Sequence, residues 1–438
     1  MIEAIKIRIY PIKKQRTKLN KTLGSGRFLY NKMLEERNEV YERLKDDKEA
    51  LYHYTYKTEK QYKQEFLFLK EANSRALQNK TRNLITAFHN FCEGLNIPRK
   101  VGHPKFKSKK GVQKYTNDNV NNNIKMDFTR HKIKLPKVSW ISFRDDRVFS
   151  GKIRHVTVSR TRTNQYFVAI TLKAQDDAEP KNTIHEKDIA AFDMSAKDFL
   201  VNDAVRMKNP RFYRSVEKKP KHPHRNLSRK QKGSKNWEKA RLELATHYEK
   251  IYNQKKDWTH KTTRDLVNKY DVIVLETLNI KGMQKFNSGL SKSVTLDFSW
   301  HQFKTYVEYK MKWTGKHFIQ VKWNFPSSKK CSHCGQITND LPLDVRVWTC
   351  STCRTTHDRD LNASIKLKVG GIRILKEEKH ITIIHDDKNT AGMAESQAFG
   401  DDVRPVAILQ NACRRFSMRK EAHTYGKDLH ESPSFRKE

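Results

Sequence analysis

Two short stretches decide the fold: Ile189-Ala-Ala-Phe-Asp193 and Val272-Ile-Val-Leu-Glu276, each a run of four apolar residues stopped by a carboxylate. Such runs, with no polar alternation, suit strands buried on both faces of a parallel sheet that helices cover on either side. The ligand crevice of such a sheet opens at the carboxyl ends of its strands, so Asp193 and Glu276 are expected to point into it. A carboxylate held there needs a cation or a proton. A third acid, Asp360, stands at the start of a helix suggested by Leu361, Ala363, Ile365 and Leu367.

Between the second acid and the third lie Cys331-Ser-His-Cys334 and Cys350-Ser-Thr-Cys353, separated by fifteen residues. That spacing suits a four-thiolate site, and four soft ligands with no open position favour structural Zn²⁺ over a catalytic ion. With the cysteine set complete, His333 and His357 are expected as surface or hydrogen-bonding residues. Cys92 and Cys413 have no partner at metal spacing and read as ordinary thiols. The acids call for different chemistry. Phosphodiester hydrolysis by two divalent ions needs several carboxylates converging on metals about 4 Å apart, and hard oxygen ligands select Mg²⁺ or Mn²⁺ over zinc. On spacing alone, Asp358 rivals Asp360 for the third position.

Charge narrows the partner. The 438 residues carry 89 Lys and Arg against 49 Asp and Glu, a formal net charge of +40. That is far beyond what solubility requires, and a polyanion, most simply nucleic acid, would relieve it. No stretch approaches the roughly 20 apolar residues of a spanning helix, which argues against a membrane partner. Lys6 and Arg8 interrupt the one early apolar stretch, so no signal peptide is expected and the cytoplasm is the expected location. The paired CxxC cysteines fit a reducing compartment with a metal site. The length has room for two to four units.

Along the chain, Ile5, Ile7 and Ile9 alternate with polar residues in one strand ended by Pro11. The period then turns helical, with Leu19, Leu23, Tyr30 and Leu34 on one face, and helical stretches continue to about Asn96. From Gly102 to Ala174 the pattern is β: Val156 and Val158 in one arm, Tyr166, Val168, Ile170 and Leu172 in the other, with Thr161 to Gln165 as the hairpin loop. A small barrel that includes the first strand would explain why the helices interrupt it. Ala204 to Asn236 holds twelve Lys or Arg and one acid, Glu217, a run suited to phosphate. The helix after it repeats Trp237, Leu244, Ile251 and Trp258 every seven residues, a core-packing stripe. After about Gly371 the pattern decays and a loosely ordered tail is expected.

Read as a set, these residues resemble the TnpB family, RNA-guided nucleases encoded by bacterial and archaeal insertion sequences and related to type V CRISPR effectors. The likeness rests on Arg8-Ile-Tyr-Pro11, Leu23-Gly-Ser-Gly-Arg27-Phe-Leu-Tyr-Asn31, Ala76-Leu-Gln-Asn79 and Lys132-Ile-Lys-Leu-Pro136. It rests further on three RuvC-like motifs: Phe192-Asp193-Met-Ser-Ala-Lys197, Leu275-Glu276-Thr-Leu-Asn279-Ile-Lys-Gly282-Met, and His357-Asp-Arg-Asp360-Leu-Asn362-Ala. By the third motif, Asp360 rather than Asp358 holds metal.

The resemblance implies an α/β multidomain chain. Residues 1–13 and 102–181 would form a β-barrel wedge domain, and 14–101 a helical recognition domain inserted in it. Residues 182–325 and 355–370 would form an RNase H-like RuvC domain, 326–354 a zinc-ribbon insert that binds target nucleic acid, and 371–438 the tail. It also implies a guide RNA derived from the transposon's right end, paired with double-stranded target DNA next to a short flanking motif and bound by a monomer. A repressor that binds under guide direction without cutting is the alternative. Gln78 and Asn79 are candidates for reading the flanking motif, since amides read adenine, though a polar contact within the protein suits either residue equally. Lys197, Arg225, Arg229 and Lys230 are candidates for phosphate, with a structural salt bridge the rival for Lys197. Three departures stand out: Ser195 replaces a common glycine, Pro220 and Pro223 are expected to break or kink a basic helix, and the tail after Gly371 carries no recognisable motif.

Overall fold

The computed structural model describes residues 2–95, 101–149, 151–173, 178–195, 198–215, 218–279, 282–283, 299–338, 341–342 and 345–385. In chain order the first elements are β1 (Ile2–Tyr10), α1 (Lys13–Leu44), α2 (Lys48–His53), α3 (Glu59–Glu65), α4 (Ser74–Leu95), β2 (Gln113–Asp118), β3 (Lys125–Asp127), β4 (Lys132–Leu135), β5 (Ser139–Phe143), β6 (Lys152–Arg160) and β7 (Tyr166–Lys173). Then follow β8 (Thr183–His185), β9 (Ile189–Phe192), β10 (Asp198–Val201), β11 (Arg206–Lys208), α5 (Phe212–Ser215), α6 (Lys218–Ser228), α7 (Lys235–Lys269), β12 (Val272–Glu276), α8 (Trp300–Trp313), β13 (His317–Val321), β14 (Val347–Thr349), β15 (Thr356–Asp358), α9 (Arg359–Glu377) and β16 (Thr382–Ile384). The architecture is mixed α/β. No helix among the described residues is long and apolar enough to cross a membrane.

Contacts divide the chain into two compact units. One includes Tyr10–Phe143 and Val156–Val158. Here Leu19, Leu23, Tyr30 and Leu34 are all buried, as their helical spacing predicts. Leu29, Met33 and Leu34 of α1 share an apolar cluster with Leu77 and Leu84 of α4 and with Leu69. β3, β4 and β5 form an antiparallel meander with Ile133, Leu135, Ile141 and Phe143 turned inward.

The other unit takes in Met1–Ile9, Arg144–His155 and Ser159–Lys388. Its β1 pairs antiparallel with β7, from Ile2 opposite Lys173 to Ile9 opposite Tyr166. A strand that finds its partner so late explains why the helical stretch interrupts the β segment. The loop from Thr161 to Gln165 is closed by the Thr161 N–H on the Gln165 carbonyl at 2.9 Å.

In the same unit β9, β12 and β13 form a parallel sheet with β12 in the centre. Every residue of β9 and the first four of β12 are buried, as the unbroken apolar runs require. The two faces alternate along each strand. Ala190, Phe192, Ile273 and Leu275 pack with Leu266 and Val267 of α7 and with Phe303, Val307 and Met311 of α8. Ile189, Ala191, Val272 and Val274 pack with Leu367 and Leu375 of α9. In α7, Leu244 and Ile251 are buried and Trp258 meets the Phe199 ring edge-on at 4.9 Å, so three of the four stripe residues pack as core, while Trp237 is half-buried.

Three expectations need correction. The tail does not begin at residue 371: α9 runs through Gly371 to Glu377, Leu375 is fully buried, and β16 pairs parallel with β8. Residues 386–438 lie outside the described residues. Tertiary packing overrides the low helix propensity of the glycine pair, because a Cβ at Gly371 would stand 2.4 Å from Cγ2 of Val274 on β12. The ribbon does not end at residue 354 either, since β14 and β15 pair from Val347–Asp358 to Thr349–Thr356. Nor do the prolines end the basic helix. Pro220 falls in the first turn of α6, where no intrahelical donor is needed, and Pro223 lies within the helix. The interruption comes later, around Gly233 at φ 92°, before Ser234 caps α7 by accepting from the Trp237 N–H at 3.1 Å.

The packing of α9 on β12 generates a prediction. Gly371→Ala should gain about 1 kcal/mol of helix propensity but lose about 1–3 kcal/mol to overpacking, so the net effect is destabilising. A lowered denaturation midpoint would bear this out, and a raised one would contradict the close approach to Val274.

Candidate functional site

Three acids arrive at one place from three elements. Phe192 is level with Leu275 in the parallel register, so Asp193 and Glu276 follow side by side at the carboxyl ends of β9 and β12. The Asp193 backbone is held twice, its N–H on the Val201 carbonyl at 2.9 Å and its carbonyl under the Val201 N–H at 3.0 Å. Asp360 comes from the first turn of α9 and is buried.

Crowding like charges in a buried site raises their proton affinity. Burial, then the charges of Glu276 and Asp360, hold the Asp193 carboxyl well above the usual carboxylate range, which favours a hydrogen bond from its protonated form to Glu276. Burial likewise pushes Glu276 up to about 7, against the opposing Met194 N–H and Asp193 hydrogen bonds. Asp360 meets a cation instead: Nη1 of Arg346, from the ribbon, lies 3.0 Å from its Oδ1. Only the chemistry of the side chains speaks to a metal here, and it is that of hard oxygen donors. Three converging hard oxygen donors, relieved by a shared proton and an arginine, are a donor set that a divalent cation would neutralise.

Asp358, the rival third acid, is occupied otherwise. Its Oδ1 caps α9 by accepting from the N–H groups of Asp360 and Leu361 at 3.0 and 3.1 Å, and its Oδ2 pairs with Arg206 at 3.0 Å. That pairing and the cap hold its carboxyl below the usual range despite partial burial.

The four thiols gather as their spacing predicts. The Sγ atoms of Cys331, Cys334, Cys350 and Cys353 all lie within 4.8 Å of one another, a cluster able to hold one metal ion. Nε2 of His357 stands 3.0 Å from Cys331 Sγ, so this histidine is a hydrogen-bonding neighbour rather than a ligand. Leu341 and Trp348 pack against Cys331 and Cys350.

The candidate nucleic-acid residues are dispersed. Arg225, Arg229 and Lys230 are exposed at the end of α6 and just beyond it. In the other unit, the Asn79 amide donates to the carbonyls of Arg75 and Thr116 at 3.0 and 3.1 Å, and its oxygen accepts from Arg82 at 3.3 Å. Gln78 Oε1 accepts from Arg75 at 2.9 Å. Both amides are therefore engaged within the protein. Lys197 lies outside the described residues. Sequence reasoning missed Arg346 and Arg206, since a lone arginine with no motif spacing carries no signal for an ion pair made across the fold.

The geometry so far defines a class: an α/β protein with an acidic centre at the carboxyl ends of parallel strands, beside a four-cysteine ribbon. Comparison with known proteins narrows it. Family models match residues 1–46 ("Helix-turn-helix domain"), 169–287 ("Probable transposase") and 300–367 ("Cas12f1-like, TNB domain"). A Streptomyces pristinaespiralis protein described as "Putative RNA-guided DNA endonuclease" is 30% identical over 376 residues, 84% of this chain and 89% of that protein. The Escherichia coli K12 protein "Putative RNA-guided DNA endonuclease InsQ" is 26% identical over 398 residues, covering 85% and 93%. The chain belongs to the TnpB family of these proteins. Among solved structures, the protein of a Cas12f1–sgRNA–target DNA complex aligns over 84% of this chain and 98% of its own, with 13% identity and a TM-score of 0.48.

The acid pair makes stability depend on pH. Both carboxyls bind protons more tightly folded than unfolded, so their contribution is full at low pH and lost as pH rises through about 7, the Glu276 value. In chelator, thermal scans should show the wild type losing stability over that range more steeply than Glu276→Gln. Parallel pH profiles for the two proteins would refute the shared proton.

Proposed function

We propose that this chain is an RNA-guided DNA endonuclease that cuts by metal-dependent phosphodiester hydrolysis at a RuvC-like centre formed by Asp193, Glu276 and Asp360. The observation that carries the reading is the convergence of three carboxylates, of which Asp193 and Glu276, at adjacent strand ends, are both held above the usual carboxylate range. The family relationship supports the guided-endonuclease part, and the excess of 89 basic over 49 acidic residues suits two nucleic-acid partners. In this reading the guide RNA comes from the transposon's right end and pairs with one strand of DNA next to a short flanking motif. A basic channel can hold such a heteroduplex by backbone and shape while base pairing reads sequence.

Two Mg²⁺ or Mn²⁺ ions, when bound, would supply an activated water and stabilise the leaving oxygen. The chain's own residues prepare that site. Asp193 and Glu276 release their shared proton to become a hard donor pair, and Asp360 gives up Arg346. That guanidinium is then left to meet a phosphate oxygen of the DNA backbone. Asp358 holds α9 in place through its cap and Arg206, which supports Asp360 as the third metal ligand. Cys331, Cys334, Cys350 and Cys353 hold structural Zn²⁺. We assign the helical stretch and the β segment to flanking-motif and guide recognition, with residues 14–101 as the recognition domain and 1–13 and 102–181 as the wedge.

Co-expression with element-end RNA and a plasmid library with randomised flanks tests the reading. Cleavage should require a divalent ion and leave 5′-phosphate and 3′-hydroxyl ends. It should fall by on the order of 1,000-fold or more in Asp193→Ala, as the loss of several kcal/mol of metal-centred stabilisation implies. Cutting that survives EDTA would sink the mechanism, whereas guided binding without cutting in Mg²⁺ would favour the repressor. A second measurement addresses the exposed cations. Replacing Arg225, Arg229 and Lys230 together by Ala should flatten the dependence of log K on log salt by about 0.9 for each duplex phosphate that is no longer neutralised. An unchanged slope would remove these residues from the interface.

A further inference from the structure

Several contacts stitch the segment that carries Asp360 to the thiolate ribbon, and one buried side chain grips the backbone of the first thiol directly. Asn362, two residues beyond Asp360 on α9, is 1% exposed. Its Oδ1 accepts from the Ser332 N–H at 2.8 Å, and its Nδ2 donates to the carbonyls of Lys330 and Ser327 at 2.9 and 3.3 Å. Lys330 and Ser332 flank Cys331, so the amide grips the backbone on both sides of the first metal-spaced thiol. Both ends of the amide are used: an apolar residue at 362 would leave an N–H and two carbonyls without this partner.

The same turn is also held from the segment between the two cysteine pairs. The Arg359 N–H donates to the Arg346 carbonyl at 2.8 Å, and Arg359 Nη1 donates to the carbonyls of Pro342 and Val345 at 2.5 and 3.3 Å. His357 Nε2 completes the link at 3.0 Å from Cys331 Sγ. A metal ion on four thiolates fixes each sulfur at about 2.3 Å. Fixing Cys331 fixes the backbone that Asn362 holds, and with it the turn from which Asp360 projects.

We infer that Asn362 is a positioning residue through which the loaded thiolate site sets Asp360, so that zinc loading governs how tightly the acidic centre binds a divalent cation. The inference rests on the proposed nuclease reading and adds a dependence that reading does not require, since a ribbon used only to bind nucleic acid could lose its metal without changing the acids.

The test uses the full chain purified with its guide RNA and Mn²⁺ as the probe, with bound ion measured by electron paramagnetic resonance and zinc by elemental analysis. Asn362→Ala should keep its zinc and its guide RNA yet bind Mn²⁺ about 10- to 100-fold more weakly, the usual loss when an outer contact of a metal site is removed. Asn362→Asp, which keeps the acceptor for Ser332 and loses both donations, should fall between. Unchanged Mn²⁺ affinity in Asn362→Ala would overturn the inference, as would zinc loss with Mn²⁺ binding intact. Should Asn362→Ala fail to fold, Cys334→Ser gives the same answer from the other end, because Cys334 is exposed. Its zinc loss should weaken Mn²⁺ binding to a similar extent, and undiminished Mn²⁺ binding would again overturn the inference. A wild-type protein that binds no Mn²⁺, or an Asp193→Asn variant that binds it equally well, would instead defeat the nuclease reading itself and this inference with it.

Discussion

Repulsion among three crowded carboxylates, two buried and one partly buried, is the constraint around which the site-bearing unit is arranged. Asp193 and Glu276 cannot move apart, because the parallel register of β9 and β12 sets their backbones side by side and Val201 holds Asp193 from its other edge. The fold answers the repulsion by two means: a proton shared between the strand-end acids, and Arg346 against Asp360. Asp358 is excluded from the crowd by turning back to cap its own helix, which also complements the positive end of the α9 dipole.

The apolar core makes this tolerable. Both faces of the three-stranded sheet are covered, α7 and α8 on one side and α9 on the other, so the strand ends are fixed by packing before their charges are considered. Gly371 matters for the same reason: with no side chain it lets α9 lie directly on Val274, which brings the first turn of that helix to the acids. The ribbon enters through β13 and leaves into α9, so its metal-spaced knuckles lie between the sheet and the third acid in sequence. Position in the chain alone therefore gives it leverage on the centre.

Much of this was legible in the sequence, for identifiable reasons. Four apolar residues followed by an acid leave little choice but a doubly buried strand with its acid at the crevice, and paired CxxC units at the right spacing leave little choice but a metal cluster. The stripe from Trp237 to Trp258 was readable because seven residues nearly close two helical turns. What the sequence hid depends on partners remote along the chain. The choice between Asp358 and Asp360 rested on motif likeness, because the cap and the Arg206 ion pair that occupy Asp358 exist only once β11, β15 and α9 meet. The last turns of α9 are hidden because the apolar pattern decays after about Gly371, while the surface on which the helix packs belongs to a strand nearly a hundred residues earlier. Arg346 carried no local signal at all, and neither did the engagement of the Asn79 amide by Thr116 and Arg82.

The shared proton has an evolutionary consequence. An acidic centre that strains its fold when no cation is bound is a standing cost of function, and amides at the same positions would relieve it. Mutational drift that replaces Asp193 or Glu276 by a neutral isostere would therefore run toward greater robustness. Under the proposed nuclease function, lineages released from the need to cut would have a downhill path to becoming stable binders.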